Sequence, residues 1–342
     1  MKRKILITGG AGFIGANFAL HRILLGDDVT IFDNLSRRGA ENNLQWIQEQ
    51  APGSEFSFLQ ADVRDFEEIQ AAVRGKDTIV HLAAQVAVTS SVSDPAHDFS
   101  VNARGTFNVL ESVRQGGEKP LVIYASTNKV YGEIENIDVV EDEARYRFRD
   151  LENGISENQP LDFHSPYGCS KGSGDQYVRD YSRMYGFPTV VFRQSCIYGP
   201  RQFGIEDQGW VAWFIIATVL GQPISIYGDG KQVRDVLHIN DLINAYDLAI
   251  SHVKSSGGNI YNIGGGPQNA IAIWREFGPI LEEIHGNTIP ITYGDWRPGD
   301  QKIYISDISK AKNDLAWSPK IGVKAGIEDL YNWVKQNTAL FA

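Results

Sequence analysis

Ile5-Leu6-Ile7-Thr8-Gly9-Gly10-Ala11-Gly12-Phe13-Ile14-Gly15 stands almost at the start of a 342-residue chain. An apolar run, a glycine-rich turn and a helix-forming stretch follow one another. That order predicts strand, tight turn, helix, the arrangement that sets a pyrophosphate against a helix N-terminus. Gly9, Gly12 and Gly15 are the spaced glycines: one makes the turn, one lets the backbone approach the phosphates, and one lets the helix pack on the strand. Phe13 and Ile14 open the helix. Downstream, Val29-Thr30-Ile31-Phe32 reads as a second buried strand ending in Asp33. A carboxylate about 20 residues past the glycines is placed to accept hydrogen bonds from an adenosine ribose. The expected cofactor is NAD, since Asp33 would repel the 2′-phosphate of NADP. Asn34, Ser36 and Arg37 join Asp33 on the cofactor side, although Ser36, Arg37 and Arg38 are also the residues a 2′-phosphate would use.

Outward from this stretch, apolar runs alternate with helical segments. Strands are expected over 4–8, 29–32, 55–60, 78–82, 121–125 and 189–193, and helices over 13–25, 66–73, 96–115 and 166–185. Short buried strands joined by helices require a parallel, doubly wound sheet with right-handed crossovers. The fold class is α/β of the Rossmann type, over 1–193. Residues 133–165 interrupt the alternation with about thirty acidic and polar residues, longer than a compact domain usually tolerates without a functional reason. From 194 to 342 the pattern is mixed, with strands at 224–227, 259–263 and 289–293 and helices at 210–220, 240–252, 271–285 and 323–335. This part is expected to be mainly a smaller α/β substrate lobe, with segments that return to the first domain.

The bulk numbers restrict the partners. Hydrophobic residues make up 42% and charged residues 22%, and the formal net charge is −10. A nucleic-acid partner is disfavoured by that charge, whereas a local arginine cluster can still bind a nucleotide. Two cysteines, Cys169 and Cys196, are too few for a disulfide framework and suit a reducing, cytoplasmic setting. They read as small buried residues. No stretch approaches the roughly 20 apolar residues that span a bilayer. No metal-ligand spacing is present, and no metal is expected.

A second constellation carries chemistry. Tyr167 and Lys171 are four apart in an expected helix and so share a face. A lysine ammonium near a phenol favours the phenolate, and such a tyrosine can exchange a proton with a substrate alcohol. Upstream, the fifth strand ends in Ser126-Thr127-Asn128-Lys129-Val130-Tyr131-Gly132. Strand C-termini are where open α/β sheets present ligand-binding groups, so the Thr127 hydroxyl is placed to bind the same substrate oxygen.

Taken together, Thr8–Gly15, Asp33-Asn34-Leu35-Ser36, Asp62-Val63, His81-Leu82-Ala83-Ala84-Gln85, Asn102-Ala103-Arg104-Gly105-Thr106, Ser126-Thr127, Tyr167/Lys171, Arg193, Tyr198-Gly199-Pro200 and Arg234-Asp235 resemble an extended short-chain dehydrogenase/reductase of the branch that modifies nucleotide-linked sugars. The resemblance spans nearly the whole chain. It implies that Asp62 and Val63 flank the adenine, that Leu82, Ala83, Ala84 and Gln85 line the pyrophosphate and ribose, and that Asn102 braces the central helix. His81 reads as a buried strand histidine, and Asp62 doubles as a helix N-cap.

Relatives that dehydrate the sugar carry an acid pair directly after the strand-end threonine. Here those positions are Asn128 and Lys129, which argues for an epimerase, with no net redox change. Local strings, above all Leu161-Asp162-Phe163-His164-Ser165-Pro166-Tyr167-Gly168-Cys169-Ser170-Lys171, resemble the CDP-sugar 2-epimerases. The resemblance implies a transient 2-keto sugar. Tyr167 is then the base, Thr127 the oxygen's partner, and Lys171 the residue that binds the nicotinamide ribose and lowers the phenol pKa. Gln85, Val86, Asn128, His164 and Gln208 would line the sugar pocket. Arg234 and Arg297 would meet the substrate diphosphate, with Arg201 a third candidate, because the guanidinium fork binds two phosphate oxygens at once. Ser225 and Tyr227 would contact the base. Alternatives are an Arg234–Asp235 structural pair, core roles for Trp210 and Trp213, a UDP-sugar 4-epimerase, and a non-catalytic NAD-binding sensor or scaffold. A homodimer or homotetramer is expected, formed through the helices 96–115 and 166–185.

Overall fold

The computed structural model describes residues 2–297 and 300–341. Pro298 and Gly299, next to the candidate Arg297, lie outside the described residues. The chain divides into two compact units, the first made of 1–130, 165–193 and 243–261, the second of 131–164, 194–242 and 262–342.

The first unit is built on a seven-stranded parallel sheet. β1 (Lys4–Thr8) lies between β2 (Asp28–Asp33) and β4 (Thr78–His81); β3 (Phe56–Gln60) follows β2, and β5 (Leu121–Thr127) follows β4. Beyond β5 come Thr189–Gln194 and then Asn259–Ile263. Ile5, Leu6 and Ile7 are fully buried, as a continuous apolar run must be in a strand covered on both faces. The order reverses at β1, so the loops after β1 and β4 diverge there and leave the crevice used by ligands in such sheets. The strand 259–263, read as part of the later lobe, is one of the returning segments and forms the sheet's edge.

The expected helix 96–115 is a relay of three pieces, Pro95–Phe99, a π-helical turn Ser100–Arg104, and Gly105–Gly116. A π-turn widens the helix by one residue and re-aims its side chains; Asn102 sits on it. Helix Phe66–Val73 is capped by Asp65, whose carboxylate accepts the N–H groups of Glu67 and Glu68. Asp62 is therefore not the cap; its carboxylate binds Arg64 instead.

In the second unit, helices Trp210–Leu220, Phe277–His285 and Val323–Gln336 enclose a core of Phe214, Ile215, Trp274, Phe277, Leu281 and Leu330 with the strand residues Ile224 and Ile226. Strand Ile224–Tyr227 pairs in parallel with Ile291–Gly294. Strand Val233–His238 pairs with Cys196–Tyr198, Ala270–Ala272 and Ile303–Tyr304. The first turn of the expected helix 271–285 is thus strand, because residues 270–272 complete the ladder on Val233–Asp235. The long stretch expected as an insertion in the first domain lies in this unit, where Val139–Glu141 pairs with Tyr146–Phe148 and Ile155 bridges to Ser306. Among the described residues, no helix is long and apolar enough to cross a membrane.

Candidate active site

The glycine turn behaves as its spacing demands. Gly9 has φ +69°, and a Cβ there would lie 2.7 Å from the Ala83 nitrogen; a Cβ on Gly15 would collide with the Gly9 carbonyl. Gly12 differs. Its Cβ would meet only the Gly9 oxygen, at 3.2 Å, so the protein leaves the space above it open. Helix α1 (Phe13–Leu24) starts at Gly12 with no side chain capping its free N–H groups. An open glycine and uncapped amides fit a pyrophosphate.

Asp33, at the end of β2, accepts the backbone N–H of Ala11 at 3.0 Å and of Leu35 at 2.8 Å. Burial raises its pKa, and those backbone bonds oppose the rise. Its carboxylate still has lone pairs for a ribose diol. Asn34 donates to Asp62 at 2.8 Å and accepts the Ser36 N–H at 3.0 Å. Its bonds to Arg64, chiefly, take the Asp62 carboxyl down to about 2. Ser36 and Arg37 are exposed, and Val63 is buried, its carbonyl held by Asn108. Leu82, Ala83 and Ala84 are half-buried just past β4. Asn102 holds the backbone of Gln85 from both sides, accepting its N–H at 2.9 Å and donating to its carbonyl at 3.0 Å. Val86 follows, half-buried. Inside the sheet, His81 lies between Thr8 and Thr106 at 2.6 and 3.0 Å. Burial first, then Lys171, brings it down to about 3; it stays neutral, as a structural residue.

The reactive groups meet at the C-terminal end of β5. Thr127 is the last residue of that strand, and helix Ser165–Tyr185 carries Tyr167 and Lys171 on one face. Their exposures are 7%, 8% and 4%. The Thr127 hydroxyl accepts the Lys129 N–H at 3.2 Å and donates to Asn128 Oδ1 at 3.3 Å, and it is near enough to the Tyr167 phenol to favour its ionised form. The Tyr167 backbone N–H donates to Ser91 Oγ at 3.1 Å. Lys171 Nζ donates to the Ala125 carbonyl at 2.6 Å and lies 4.2 Å from the Tyr124 ring centroid.

Burial pushes the Tyr167 hydroxyl up to about 12, against the bond from Thr127. Burial also takes Lys171 down to about 7, against Asp175 and Asp98. In the protein alone, burial outweighs any lowering of the phenol by Lys171. Both groups have left water, so desolvation outweighs their mutual effect, and the amine is already engaged by Ala125. Asp98, Ser170, Asp175 and Ser91 also belong to this cluster and were missed. Asp175 had a readable signal, being a third polar residue on the Tyr167/Lys171 face at helical spacing. Cys169, expected buried, is exposed, being two residues off that face.

In the second unit the candidate phosphate ligands are already paired. Buried Arg234 donates to Asp300 Oδ1 and to the Gln301 carbonyl, each at 2.7 Å. The alternative partner, Asp235, binds Ser195 and the Gly266 N–H instead. Arg297 stacks over Tyr227 at 4.0 Å and faces Asp207 at 3.2 Å. Tyr227 donates to Glu206 at 2.8 Å, and Ser225 meets Thr292 at 3.2 Å. Gln208 exchanges backbone bonds with Ile205. Arg201 has φ +73° and lies 5.7 Å over the Trp333 ring. His164 is half-exposed between Asp162 and Glu133. Trp210 packs on Phe214 and Phe277 in the core and donates to Cys196 Sγ at 3.4 Å.

Residues 6–330 match the family described as GDP-mannose 4,6 dehydratase. The chain belongs to that family. It is an extended short-chain dehydrogenase/reductase of the nucleotide-sugar epimerase and dehydratase branch. Within the GDP-mannose 4,6 dehydratase family, it is 44% identical over 337 residues to the CDP-paratose 2-epimerase of Salmonella typhi, covering 96% of this chain and 98% of that one. The dTDP-glucose 4,6-dehydratase of Salmonella typhimurium (strain LT2) is 31% identical over 350 residues, covering 98% and 93%. The solved UDP-glucose 4-epimerase of Thermus thermophilus in complex with NAD aligns with a TM-score of 0.80 and 31% identity, covering 98% and 99%.

Proposed function

We propose that the protein is an NAD-dependent epimerase of a CDP-linked sugar, inverting C2 through a transient 2-keto sugar. The observation that carries this reading is the buried Thr127–Tyr167–Lys171 cluster followed by Asn128 and Lys129. Neither of those two residues can share acid–base work as a carboxyl pair does at neutral pH. The likeness to CDP-paratose 2-epimerase supports the base and the carbon.

Gly9, Gly12 and Gly15 with Phe13 and Ile14 would hold the dinucleotide's pyrophosphate, and Asp33 with Asn34, Ser36 and Arg37 its adenosine ribose. When bound, NAD would supply a hydride acceptor that each cycle restores. Tyr167 takes the proton of the C2 hydroxyl and later returns it. Thr127 bonds the same oxygen and keeps the ring aimed at it. Lys171 would hold the nicotinamide ribose, and in its protonated form would favour the phenolate that burial alone disfavours. Arg234 and Arg297 grip the diphosphate, with Arg201 beside them, while Ser225 and Tyr227 meet the base. By the same resemblance, Gln85, Val86, Asn128, His164 and Gln208 would be the residues that meet the sugar.

The test is incubation with CDP- and UDP-sugars in deuterated water, with the product identified by NMR. The expected product is the C2 epimer without deuterium at C2. Inversion at C4 alone would replace this reading with a UDP-sugar 4-epimerase. Tight NAD binding without any turnover would leave a non-catalytic sensor or scaffold.

We also infer a homodimer. Phe99, Phe107, Tyr177, Met184 and Tyr185 are exposed on the helices 95–116 and 165–185, a concentration of apolar side chains that a monomer rarely leaves in water. Sedimentation of a monomer at micromolar concentration would remove this inference.

A further inference from the structure

Asp175 lies one helical turn beyond Lys171 and two beyond Tyr167, and it is completely buried. Arg193, on the strand Thr189–Gln194, grips it with two bonds of 2.9 Å and is 2% exposed. The same carboxylate accepts the Ser126 hydroxyl at 2.7 Å. Ser126 sits between Ala125, whose carbonyl receives the Lys171 amine, and Thr127, whose hydroxyl meets Tyr167. A buried ion pair seldom adds much net stability over apolar residues of the same shape, so its retention points to another task.

We propose that Asp175, clamped by Arg193, is a positioning residue: through Ser126 it fixes the strand end that aims Thr127 and the Ala125 carbonyl, and it faces the amine of Lys171 as its counter-charge. This inference rests on the function proposed above. The groups around Lys171 are Asp175 on its own helix, Asp98 on Pro95–Phe99, His81 on β4 and Tyr124 on β5, with Tyr167 one helical turn before it and Arg193 reaching it through Asp175. Asp98 also favours the charged amine, but its hydrogen bonds run to Ser170 and Asn102 and not to β5. Asp175 alone of the two carboxylates joins helix, strand end and neighbouring strand.

Two variants of the full chain test this. Ser126→Ala keeps the Asp175–Arg193 pair and removes the link to the strand. Its kcat is expected to fall about tenfold with KM unchanged, as for a small misplacement of reacting groups. Wild-type kcat in folded Ser126→Ala overturns the proposal, and so does a rise in KM with kcat intact. Asp175→Asn removes the counter-charge. The Lys171 titration, followed by lysine 15N NMR in the free protein, is expected to move down by at least about half a pH unit; an unmoved midpoint overturns the counter-charge role. If Asp175→Asn does not fold, Ser126→Ala decides alone. If the wild-type protein turns over no nucleotide sugar, the proposed function fails, and the Lys171 titration, which needs no substrate, still decides this inference.

Discussion

The end of β5 and the arginine cluster of the second unit handle polar groups in opposite ways. At β5, Thr127, Tyr167 and Lys171 are buried, and the side chains of Thr127 and Lys171 are tied to backbone within the first unit. Nothing there has to move before a substrate alcohol can be met. In the second unit, Arg297 is 30% exposed, and its carboxylate partner Asp207 is 46% exposed. Arg234 already has a carboxylate and two carbonyls. Under the proposed function, an incoming phosphate there would replace an existing anion or carbonyl oxygen, and exposed ion pairs are weak enough to be replaced. Under the proposed function, the contrast gives the first region to the rate of the chemical step and the second to the strength of binding.

That assignment can be broken most sharply at Tyr167. Tyr167→Phe removes one hydroxyl from a rigid cluster, and kcat is expected to fall about a thousandfold with the circular dichroism unchanged; a loss below tenfold would end the distinction. Acid probes the same region through His81. Its folded pKa of about 3 lies below the ordinary 6.5, so below that value the unfolded chain binds a proton that the folded one refuses. Stability is complete above about pH 6.5 and declines as pH falls towards 3, by about 2 kcal/mol at pH 5. Urea titrations near pH 7 and pH 5, on the wild type and on His81→Asn, measure it; the gap between the two pH values should narrow in the variant. For the second region, Arg297→Ala is expected to raise the KM of the nucleotide sugar about tenfold with kcat within about twofold. An equal fall in kcat would move Arg297 into the chemistry. The smallest effect is at Asp207. Asp207→Asn removes the competing carboxylate and should tighten CDP binding about two- to fivefold by calorimetry; weaker binding would mean that Asp207 orients Arg297 rather than competing for it.

Much of this was legible beforehand, for definite reasons. β1 is an uninterrupted apolar run over 5–7, and β2 is nearly so over 29–32, broken only by Thr30, as a strand buried on both faces produces. Tyr167 and Lys171 declare their shared face by spacing alone. Strand Val233–His238 escaped notice because Arg234, Asp235 and His238 break its apolar pattern. All six of its residues are buried, and these three are kept tolerable by partners far away in sequence: Asp300, Ser195 and Asp329. Asp62 looked like a cap, but a cap is decided by which backbone N–H groups turn towards a carboxylate, and those turn to Asp65.

The order of apolar runs, glycines and helix-spaced polar residues by itself determined the parallel sheet, the nucleotide turn and the Thr127–Tyr167–Lys171 set. These depend on neighbours along the chain or on the period of one element. Only the tertiary structure decided the protonation energetics and the partners: a phenol raised to about 12, an amine lowered to about 7, and a carboxylate shared by Arg193 and Ser126. Desolvation and long-range pairing depend on what folding brings against a group from every side, and no local pattern carries that information.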